Sequence, residues 1–468
     1  MKRIAHRALI AALALWLPAC LPEERFWWSP AGDRAVVSIE EKLHLVSAEG
    51  VLGALPDGLS SKDALVKSVS WLPDGGGFAC QRTRRIASWE EVRTLVPAEE
   101  VKAVDALMPA VLPLLEAAAK MAGEAATVEA VLKALPLHDA RLFSLALRRT
   151  FQKDPAAVGR AVQALPKGSA LLDALKADAA GYDLEEIVLV RLTGPSAAPV
   201  SLLRSVLRQA VLPRVSPKEA FIACVRLDEA AESIELHVLP LDGGAGMLVA
   251  RKVSGAFDWT PDGRSLVFMA PIGGEGEKLQ GIHRVRVIDD AGKLSEPGEP
   301  RTLATAVTLN RPALQVLADG RVLFASQPVT LPAAGAETEL EPRLYLIAAD
   351  GKSVQPVPTA PGDLPTNLAC FVAAPDGSRI AVVESETDAV AVVETDSGKM
   401  QLISPPHPKW QNRTVPAWKS ATELSFAALH EGRPAWMLWS ETDNLRCLSA
   451  SWPSASTAKW LIEDKERK

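Results

Sequence analysis

The chain has 468 residues, of which 48% are hydrophobic, 23% charged and 5% aromatic, and its formal net charge is −6. This hydrophobic fraction is ordinary for a folded protein and excludes disorder as the main state. A mildly acidic chain without a sequence cluster of lysine and arginine lacks the electrostatic footprint of a nucleic-acid binder, so we expect no nucleic-acid partner. The length predicts two or three domains or one large repeat architecture.

The first residues have the composition of a secretory signal peptide. A basic segment, Met1 to Arg7, is followed by an uncharged run from Ala8 to Leu17 and then by Pro18-Ala19-Cys20. Ten apolar residues are about half of what a membrane-spanning helix needs, but they are typical of the apolar part of a signal peptide. We therefore predict a signal peptide over residues 1–19. The alternative is a signal peptide that is cut nearby, with Cys20 incidental.

The segment Leu17-Pro18-Ala19-Cys20 resembles the bacterial lipobox. This resemblance implies that Cys20 is lipidated and becomes the mature N-terminus, and that the protein is exported and lipid-anchored to the cell envelope. Leu21 in place of aspartate favours the periplasmic side of the outer membrane. Loss of Lys2, Arg3 and Arg7 leaves 48 basic against 57 acidic residues, a net charge of −9. Anionic headgroups repel such a body, so its membrane contact would depend on the acyl chains.

Four cysteines follow Cys20, and they show no Cys-x-x-Cys or zinc-binding spacing. They are Cys80, Cys224, Cys370 and Cys447. Export would permit disulfides. However, Cys80 and Cys224 lie in apolar, strand-like runs where a small buried hydrophobe is the simpler interpretation. We predict unpaired core thiols.

One pattern recurs seven times along the chain: a short apolar strand, a turn rich in proline, aspartate and glycine, and a second strand. The turns are Pro30–Asp33, Pro73–Gly75, Pro217–Glu219, Pro261–Gly263, Asp319–Gly320, Pro375–Gly377 and Trp418–Glu423. Proline presets φ, aspartate bonds to its own backbone and glycine accepts positive φ, so the pattern is turn chemistry. Many copies are followed by a second hairpin. Four strands per unit is typical of propeller blades.

These repeated turns and strands resemble the TolB-type, WD-repeat-like β-propellers of bacterial envelopes. The resemblance covers most of the chain outside the signal peptide and one insertion. It implies an all-β propeller, and the composition described below adds an inserted all-α helical subdomain. We expect seven blades; six with irregular ends is the alternative, because the fifth and seventh copies depart from the consensus.

Two residue types recur within the repeat and suggest binding sites. Tryptophan occupies one position in four copies, where valine or alanine stands in the others: Trp28, Trp71, Trp259 and Trp418, against Val215, Val316 and Ala373. A stacking platform for a sugar or peptide is possible in principle, but the substitution by valine and alanine favours packing between blades. The turn aspartates could form a cation-binding ring, but their position favours turn capping. They are Asp74, Asp262, Asp319 and Asp376.

About a hundred surplus residues interrupt the second repeat. Their composition shifts to alanine, leucine, glutamate and lysine, which are helix formers. Prolines such as Pro113 are expected to divide the segment into short helices. Asp154 followed by Pro155 indicates the start of a helix, with the aspartate as its N-cap. Strand patterning resumes at Glu186 to Leu192. We predict a helical insertion over residues 89–183. Residues 20–88 would form blade 1 and the start of blade 2, and residues 184–468 the rest of blade 2 and the remaining blades.

No linear motif for catalysis is present. The sequence lacks a Gly-x-Ser-x-Gly elbow, a His-Glu-x-x-His motif, a P-loop and a Gly-x-Gly-x-x-Gly loop, and its histidines are scattered singly. This favours a non-catalytic envelope lipoprotein that binds protein partners in the cell envelope and has no catalytic, cofactor or metal residues, only a lipidation site at Cys20. The alternative is a propeller enzyme, hydrolase or lyase, with a site at the channel mouth, since separate blades can assemble such a site without a motif.

Overall fold

Seven antiparallel sheets follow one another along the chain in the computed structural model. It describes residues 26–39, 42–55, 59, 64–120, 140–165, 168–178, 181–192, 198–218, 220–228, 233–272, 279–307, 312–326, 343–359, 368–384, 387–404, 410–411, 414–430, 433–442 and 444–452. The predicted signal peptide and Cys20 lie outside these residues. Each sheet is one blade, and the predicted propeller with seven blades is confirmed.

The first four blades contain sixteen strands. Blade 1 has β1 (Phe26–Trp28), β2 (Arg34–Ile39), β3 (Lys42–Ser47) and β4 (Leu52–Gly53). Blade 2 has β5 (Ala64–Trp71), β6 (Gly77–Ile86), β7 (Tyr182–Arg191) and β8 (Val200–Ser205). Blade 3 has β9 (Ala210–Val215), β10 (Phe221–Asp228), β11 (Ser233–Pro240) and β12 (Met247–Ala250). Blade 4 has β13 (Phe257–Trp259), β14 (Ser265–Pro271), β15 (Leu279–Arg286) and β16 (Arg301–Val307).

The last three blades contain thirteen strands. Blade 5 has β17 (Leu314–Val316), β18 (Val322–Ser326), β19 (Arg343–Ile347) and β20 (Val354–Pro356). Blade 6 has β21 (Leu368–Ala373), β22 (Arg379–Glu384), β23 (Val390–Glu394) and β24 (Met400–Ser404). Blade 7 has β25 (Trp410–Gln411), β26 (Ala417–Trp418), β27 (Glu423–His430), β28 (Arg433–Ser440) and β29 (Asn444–Cys447). The short strands β25 and β26 both pair with β27.

The turn between the first two strands of a blade is capped by an aspartate side chain in four blades. Asp74, Asp262, Asp319 and Asp376 each accept a hydrogen bond at Oδ1 from the backbone N–H two residues later, at 2.7–3.0 Å. Gly263 has a φ of +68° in its turn, a value that glycine adopts without a steric cost. The turn-capping interpretation of these aspartates is confirmed.

Apolar residues fill every boundary between neighbouring blades. Alternate side chains of each strand face the blade before or after, which gives one hydrophobic cluster per boundary. The ring closes where blade 7 packs on blade 1, with Trp436 and Trp452 against Phe26 and Trp28. Trp28 also donates its indole N–H to Ser425 Oγ at 2.9 Å. The four motif tryptophans therefore lie between blades, as predicted.

The surplus residues of blade 2 form helices between β6 and β7. In the described part of the chain these are α1 (Trp89–Leu95), α2 (Ala98–Lys120), α3 (Ala140–Lys153), α4 (Pro155–Gln163) and α5 (Gly168–Asp178). Asp154 caps α4, accepting from Ala157 N, with Pro155 at its start, as predicted. We call residues 87–181 the helical insert.

Two expectations about this segment were wrong. Strand β7 begins at Tyr182, four residues before the predicted Glu186, because Tyr182 and Leu184 alternate with Asp183 and Glu185 and are buried against the helices. Helix α2 also continues through Pro109 and Pro113. Proline costs about 3 kcal/mol inside a helix. The helix persists because it buries a stripe with spacings of three and four residues: Val101, Val104, Met108, Val111, Leu115 and Ala118.

The cysteines differ in their burial. Cys80 and Cys224 are fully buried, and this burial raises the pKa of each thiol to about 12. Cys370 and Cys447 are only half-buried, against the expectation of core thiols, because they lie on the innermost and outermost strands of their blades. No disulfide joins these four cysteines. None of the described helices is long and apolar enough to cross a membrane.

Candidate functional site at the insert junction

The insert is carried by a long hairpin. Strands β6 and β7 pair without a register shift from Gly77 opposite Arg191 to Ile86 opposite Tyr182, so the hairpin extends past the rest of the blade. Antiparallel order places the first and third turns of a blade at one end of the ring and the second turn, with the link to the next blade, at the other. The insert therefore lies at the end opposite the Pro-Asp-Gly turns, beside the link between blades 2 and 3.

The insert holds that link through a buried carboxylate. Glu100, in the first turn of α2, is only 7% exposed. Its Oε1 accepts from Ser205 Oγ at 2.7 Å, and its Oε2 accepts from the backbone N–H groups of Val206 at 2.9 Å and Leu207 at 3.3 Å. Arg141 of α3 donates from Nε to Val206 O at 2.8 Å. The link is thus fixed from both its N–H and its C=O groups by the insert.

The hairpin and the insert also share a hydrophobic core. Ile86, Tyr182 and Leu184 are at most 2% exposed and pack among the helices, as does Val206 of the link. The ring of Trp89 lies 5.2 Å from that of Tyr182. The insert is therefore packed onto blade 2 rather than tethered to it.

Below this core, one face of the hairpin carries a buried carboxylate among three guanidinium groups. Glu186 is fully buried, and Arg82, directly opposite on β6, donates from Nε to its Oε2 at 2.8 Å and places Nη2 2.7 Å from the same atom. Arg84 Nε is 3.5 Å from Oε2, and Arg204 Nε, on β8, is 3.3 Å from Oε1. We call Arg82, Arg84, Glu186 and Arg204 the arginine cluster.

On the opposite face of the hairpin, each carboxylate is paired with an arginine. Glu185 Oε2 accepts from Thr83 Oγ1 at 2.9 Å, and Glu185 Oε1 is 3.4 Å from Arg141 Nη2. Asp183 accepts from Arg85 at 2.8 Å. A cavity of about 170 Å³ lies here between α3 and the link, and Arg148 also lines it. Both carboxylates of the cavity are engaged by neighbouring donors.

A larger, open cavity of about 510 Å³ lies at the other end of the ring. Phe221, Leu241 and Leu294 line its apolar part, and Arg191 and Lys293 lie at its rim. It shares no residues with the insert junction. This cavity gathers groups from blades 2, 3 and 4 but contains no histidine or cysteine among its lining residues.

Metal-ligating side chains do not converge in the described ranges, where no group of three or more His, Cys, Asp and Glu is close enough to hold a metal ion. Two histidines lie in hydrogen-bond contact with neighbours within their own blade. His237 Nε2 is 2.9 Å from Glu235 Oε2, and His283 Nδ1 is 3.2 Å from Thr302 Oγ1. Burial lowers the pKa of both histidines, which favours their neutral forms.

No sequence motif identified the residues of the arginine cluster. Arg82, Arg84, Glu186 and Arg204 come from three strands, and only the pairing of those strands brings them together. The available signal was a basic segment, Arg82-Thr83-Arg84-Arg85, before the insert and an acidic segment, Asp183-Leu184-Glu185-Glu186, after it. Their opposite charges predict pairing, but the register that selects partners is not visible in one sequence.

Comparison with known proteins gives propellers of several kinds. No protein-family model matches the sequence, and no curated protein matches it. Among solved structures, TolB from Acinetobacter baumannii is 17% identical with a TM-score of 0.38, covering 56% of this chain and 58% of that one. The propeller domain of Myceliophteria thermophila Cps50 (Swd1) is 10% identical with a TM-score of 0.45, covering 89% and 96%.

An enzyme is also among these structures. An oligogalacturonate lyase in complex with manganese is 12% identical with a TM-score of 0.42, covering 78% of this chain and 74% of that one. The chain is thus similar both to a TolB protein, of which it spans little more than half the length, and to a propeller lyase. The assignment of the propeller rests on the seven sheets themselves.

Proposed function

We propose that this chain is an exported, lipid-anchored envelope protein that binds a protein partner through its helical insert and the adjacent rim of the propeller, without catalysing a reaction. The observation that carries the proposal is the attachment of the insert. Its helices share a core with the β6–β7 hairpin, and Glu100 and Arg141 fix the link between blades 2 and 3.

A fixed insert is suited to recognition. The ring closes without it, because blade 7 packs directly on blade 1 and Trp28 bonds to Ser425. Long insertions in compact domains tend to be functional. A surface held in one orientation before binding loses less entropy when the partner arrives, so rigid attachment favours affinity.

The membrane anchor rests on the N-terminal sequence. The apolar run that ends at Cys20 supports cleavage and lipidation there. Acyl chains would then hold the acidic body at the envelope, since burial of each CH₂ contributes about 0.8 kcal/mol. Replacing Cys20 with serine should leave an uncleaved or water-soluble species in detergent partitioning and remove acyl labelling. A wild-type protein that partitions into water would contradict the anchor.

A propeller hydrolase or lyase is the second candidate, and the cavity beside α3 is the observation that favours it. Two carboxylates, Asp183 and Glu185, and two guanidinium groups, Arg141 and Arg148, line that cavity. Its volume of about 170 Å³ is below the ~300–1,000 Å³ typical of ligand sites. Both carboxylates already accept hydrogen bonds from protein donors, which is unfavourable for a general base. We therefore favour binding.

The experiment removes the insert and keeps the propeller. Because Ile86 and Tyr182 are direct cross-strand partners, an Asn-Gly turn can join them in place of residues 87–181. Ile86→Thr, Tyr182→Thr and Leu184→Thr would remove the apolar side chains that the deletion exposes. Circular dichroism and a cooperative melt establish that the deleted protein folds.

Partner recovery then decides the proposal. Envelope proteins crosslinked to the full chain should be absent from the crosslinked products of the folded deletion variant. The matched control is Glu99→Ala in the full chain, which changes one exposed residue of α2 and should recover the same partners. Equal recovery by the full chain and the deletion variant would show that the insert does not bind the partner.

A further inference from the structure

The arginine cluster holds more positive than negative charge. Among the described residues, three guanidinium groups surround one carboxylate, Glu186, so positive charge exceeds negative charge within the arginine cluster, in a chain whose net charge is −6. Arg82 is the partner that compensates Glu186, through two short contacts to Oε2. Within the described part of the chain, Glu186 is also the one carboxylate within 4 Å of Arg84 and of Arg204.

The two uncompensated arginines are accessible. The side chains of Arg84 and Arg204 are 30% and 38% exposed, whereas those of Arg82 and Glu186 are 8% and 0% exposed. The Nε atoms of Arg84 and Arg204 are buried, so the exposed part of each side chain is elsewhere. Neither Nε makes a hydrogen bond within the described residues, and Glu186 Oε1 accepts none. Among the described residues, these Nε atoms contact a carboxylate only as ion pairs with Glu186, and a ligand would meet the exposed part of each side chain.

The spacing of the strands indicates the size of the ligand. Arg84 is on β6 and Arg204 is on β8, with β7 between them and an offset of two residues along the strands, so their backbones are about 12 Å apart. Glu186 occupies the point where the two side chains converge. A single small anion would have to displace this buried carboxylate, whereas two carboxylates on one segment can each meet one arginine. Guanidinium groups bind carboxylates in a planar, bidentate geometry.

We propose that Arg84 and Arg204, oriented by Glu186 and Arg82, form a binding site for an acidic peptide segment that carries at least two carboxylates. This proposal deepens the proposed function. It rests on that function in one respect, namely that the acidic segment belongs to the protein partner. The site lies on the hairpin that carries the insert and on the neighbouring strand β8, next to the rim assigned to the partner. The arginines supply the attraction, and Glu186 offsets their mutual repulsion and keeps both side chains oriented.

The test measures peptide binding by the purified full chain in an uncharged detergent. Fluorescein-labelled, N-acetylated hexaglutamate is titrated with protein and followed by fluorescence anisotropy at about 25 mM and 150 mM NaCl. The variant Arg84→Gln with Arg204→Gln should weaken binding at least about tenfold, and the wild-type affinity should fall with salt because charge pairs are screened. A cooperative thermal melt confirms that the variant is folded.

A matched pair of arginines provides the control. Arg264 and Arg286 also share one carboxylate, Asp290, at 3.0 and 2.6 Å, and are 45% and 49% exposed. Arg264→Gln with Arg286→Gln changes the net charge equally and should leave hexaglutamate binding unchanged within about twofold. Arg84→Lys with Arg204→Lys keeps the charge but loses the planar geometry, and should give an intermediate affinity.

The outcomes distinguish a specific peptide site from non-specific charge attraction and from a small-anion site. Equal weakening by both glutamine pairs would indicate non-specific attraction and overturn the proposal. Full displacement of hexaglutamate by an equimolar amount of inorganic phosphate would overturn it in favour of a small-anion site. If hexaglutamate binding follows the prediction while the insert deletion keeps every partner, the site stands and the proposed role of the insert fails. If the deletion loses its partners while Arg84→Gln with Arg204→Gln leaves hexaglutamate binding unchanged, the site fails and the role of the insert stands.

Discussion

The indole N–H of Trp71 donates a hydrogen bond of 2.8 Å to the backbone carbonyl of Trp27, across the boundary between blades 1 and 2. Trp259 and Trp418 make the same bond at 2.9 Å to the carbonyls of Arg214 and Val372 in the preceding blade. The repeated tryptophan therefore links neighbouring blades through one donor as well as through apolar packing.

The blades without this tryptophan use the reverse arrangement. The backbone N–H of Val215, Val316 or Ala373 donates to a side chain of the preceding inner strand, at 2.8–2.9 Å. The acceptors are Ser70, Asp258 and Gln315, each one residue before the repeat position of its own blade. Where a blade lacks the tryptophan, the inner strand of the preceding blade thus carries a polar acceptor. These acceptors can be recognised in a single sequence by their position in the repeat.

We expect Trp71→Phe to lower the free energy of unfolding by about 2–4 kcal/mol. The change removes the indole hydrogen bond to the carbonyl of Trp27, which contributes about 0.5–1.5 kcal/mol, and removes part of a packed ring. Trp436→Phe is the control, because the buried Trp436 Nε1 has no hydrogen-bond partner among the described residues. Chemical denaturation should show a smaller loss for Trp436→Phe. Equal losses would mean that the indole hydrogen bond does not stabilise the boundary.

Asp258 should make stability depend on pH in an unusual direction. Burial raises the pKa of Asp258 above its ordinary value of 3.8, and this outweighs the hydrogen bonds from Val316 and Trp259. A group whose pKa is raised on folding contributes stability below its ordinary pKa and loses that contribution as the pH rises through the folded value. The melting temperature of Asp258→Asn, relative to wild type, should therefore increase between pH 4 and pH 7.

Asp290→Asn provides the opposite trend when the same assay is extended below pH 4. Arg286 lowers the pKa of Asp290 by hydrogen bonding and by its charge. The stability that Asp290 contributes is present above 3.8 and is lost as the pH falls through the folded value. The melting temperature of Asp290→Asn relative to wild type should therefore decrease as the pH rises towards 3.8 and stay level between pH 4 and pH 7. Parallel trends for the two variants would contradict the assignment for Asp258.

Cys80 and Cys224 should be inert in the folded protein. With a pKa of about 12 caused by burial, only about one thiol in ten thousand is ionised at pH 8, and reagents must also reach it. Iodoacetamide followed by mass spectrometry should modify both residues only after unfolding in guanidinium chloride. Cys447, which is half-buried, should react faster than either. Rapid modification of Cys80 in the native protein would show that the core of blades 1 and 2 opens.

The blades could be predicted from sequence because their signal is local. A turn such as Pro73-Asp74-Gly75 determines its own backbone within four residues, and the strand after it alternates visibly. Inter-blade packing of Trp28 and Trp71 followed from their replacement by valine and alanine in other copies. These inferences need no knowledge of distant contacts.

The insert junction could not be predicted, because its chemistry is non-local. Arg82 and Glu186 are 104 residues apart, and Arg204 comes from a third strand, so the arginine cluster exists only after the strands pair. The sequence shows the basic run Arg82-Thr83-Arg84-Arg85, but not that Glu186 and Arg204 join it. The continuation of α2 through Pro113 has a similar reason, since burial against the other helices outweighs a local helix-breaking preference.

The final prediction concerns the hydrogen bonds that Glu100 accepts from the link between blades 2 and 3. In Glu100→Ala the N–H of Val206, which is fully buried, loses its acceptor, and a buried unsatisfied donor costs about 1–3 kcal/mol. Local opening of residues 205–208 becomes easier by that amount. Amide hydrogen exchange there, followed by mass spectrometry, should accelerate by about tenfold or more.

Glu99→Ala isolates the effect of the hydrogen bonds. Glu99 is the neighbouring residue in the first turn of α2, has the same charge and is exposed. Both variants lose the same favourable interaction between a carboxylate and the helix N-terminus, about 0.3–1 kcal/mol. Only Glu100→Ala also releases Ser205, Val206 and Leu207, so only it should speed exchange in the link. Equal exchange in the two variants would mean that packing of Val206 against the helices, rather than Glu100, holds the insert on the propeller.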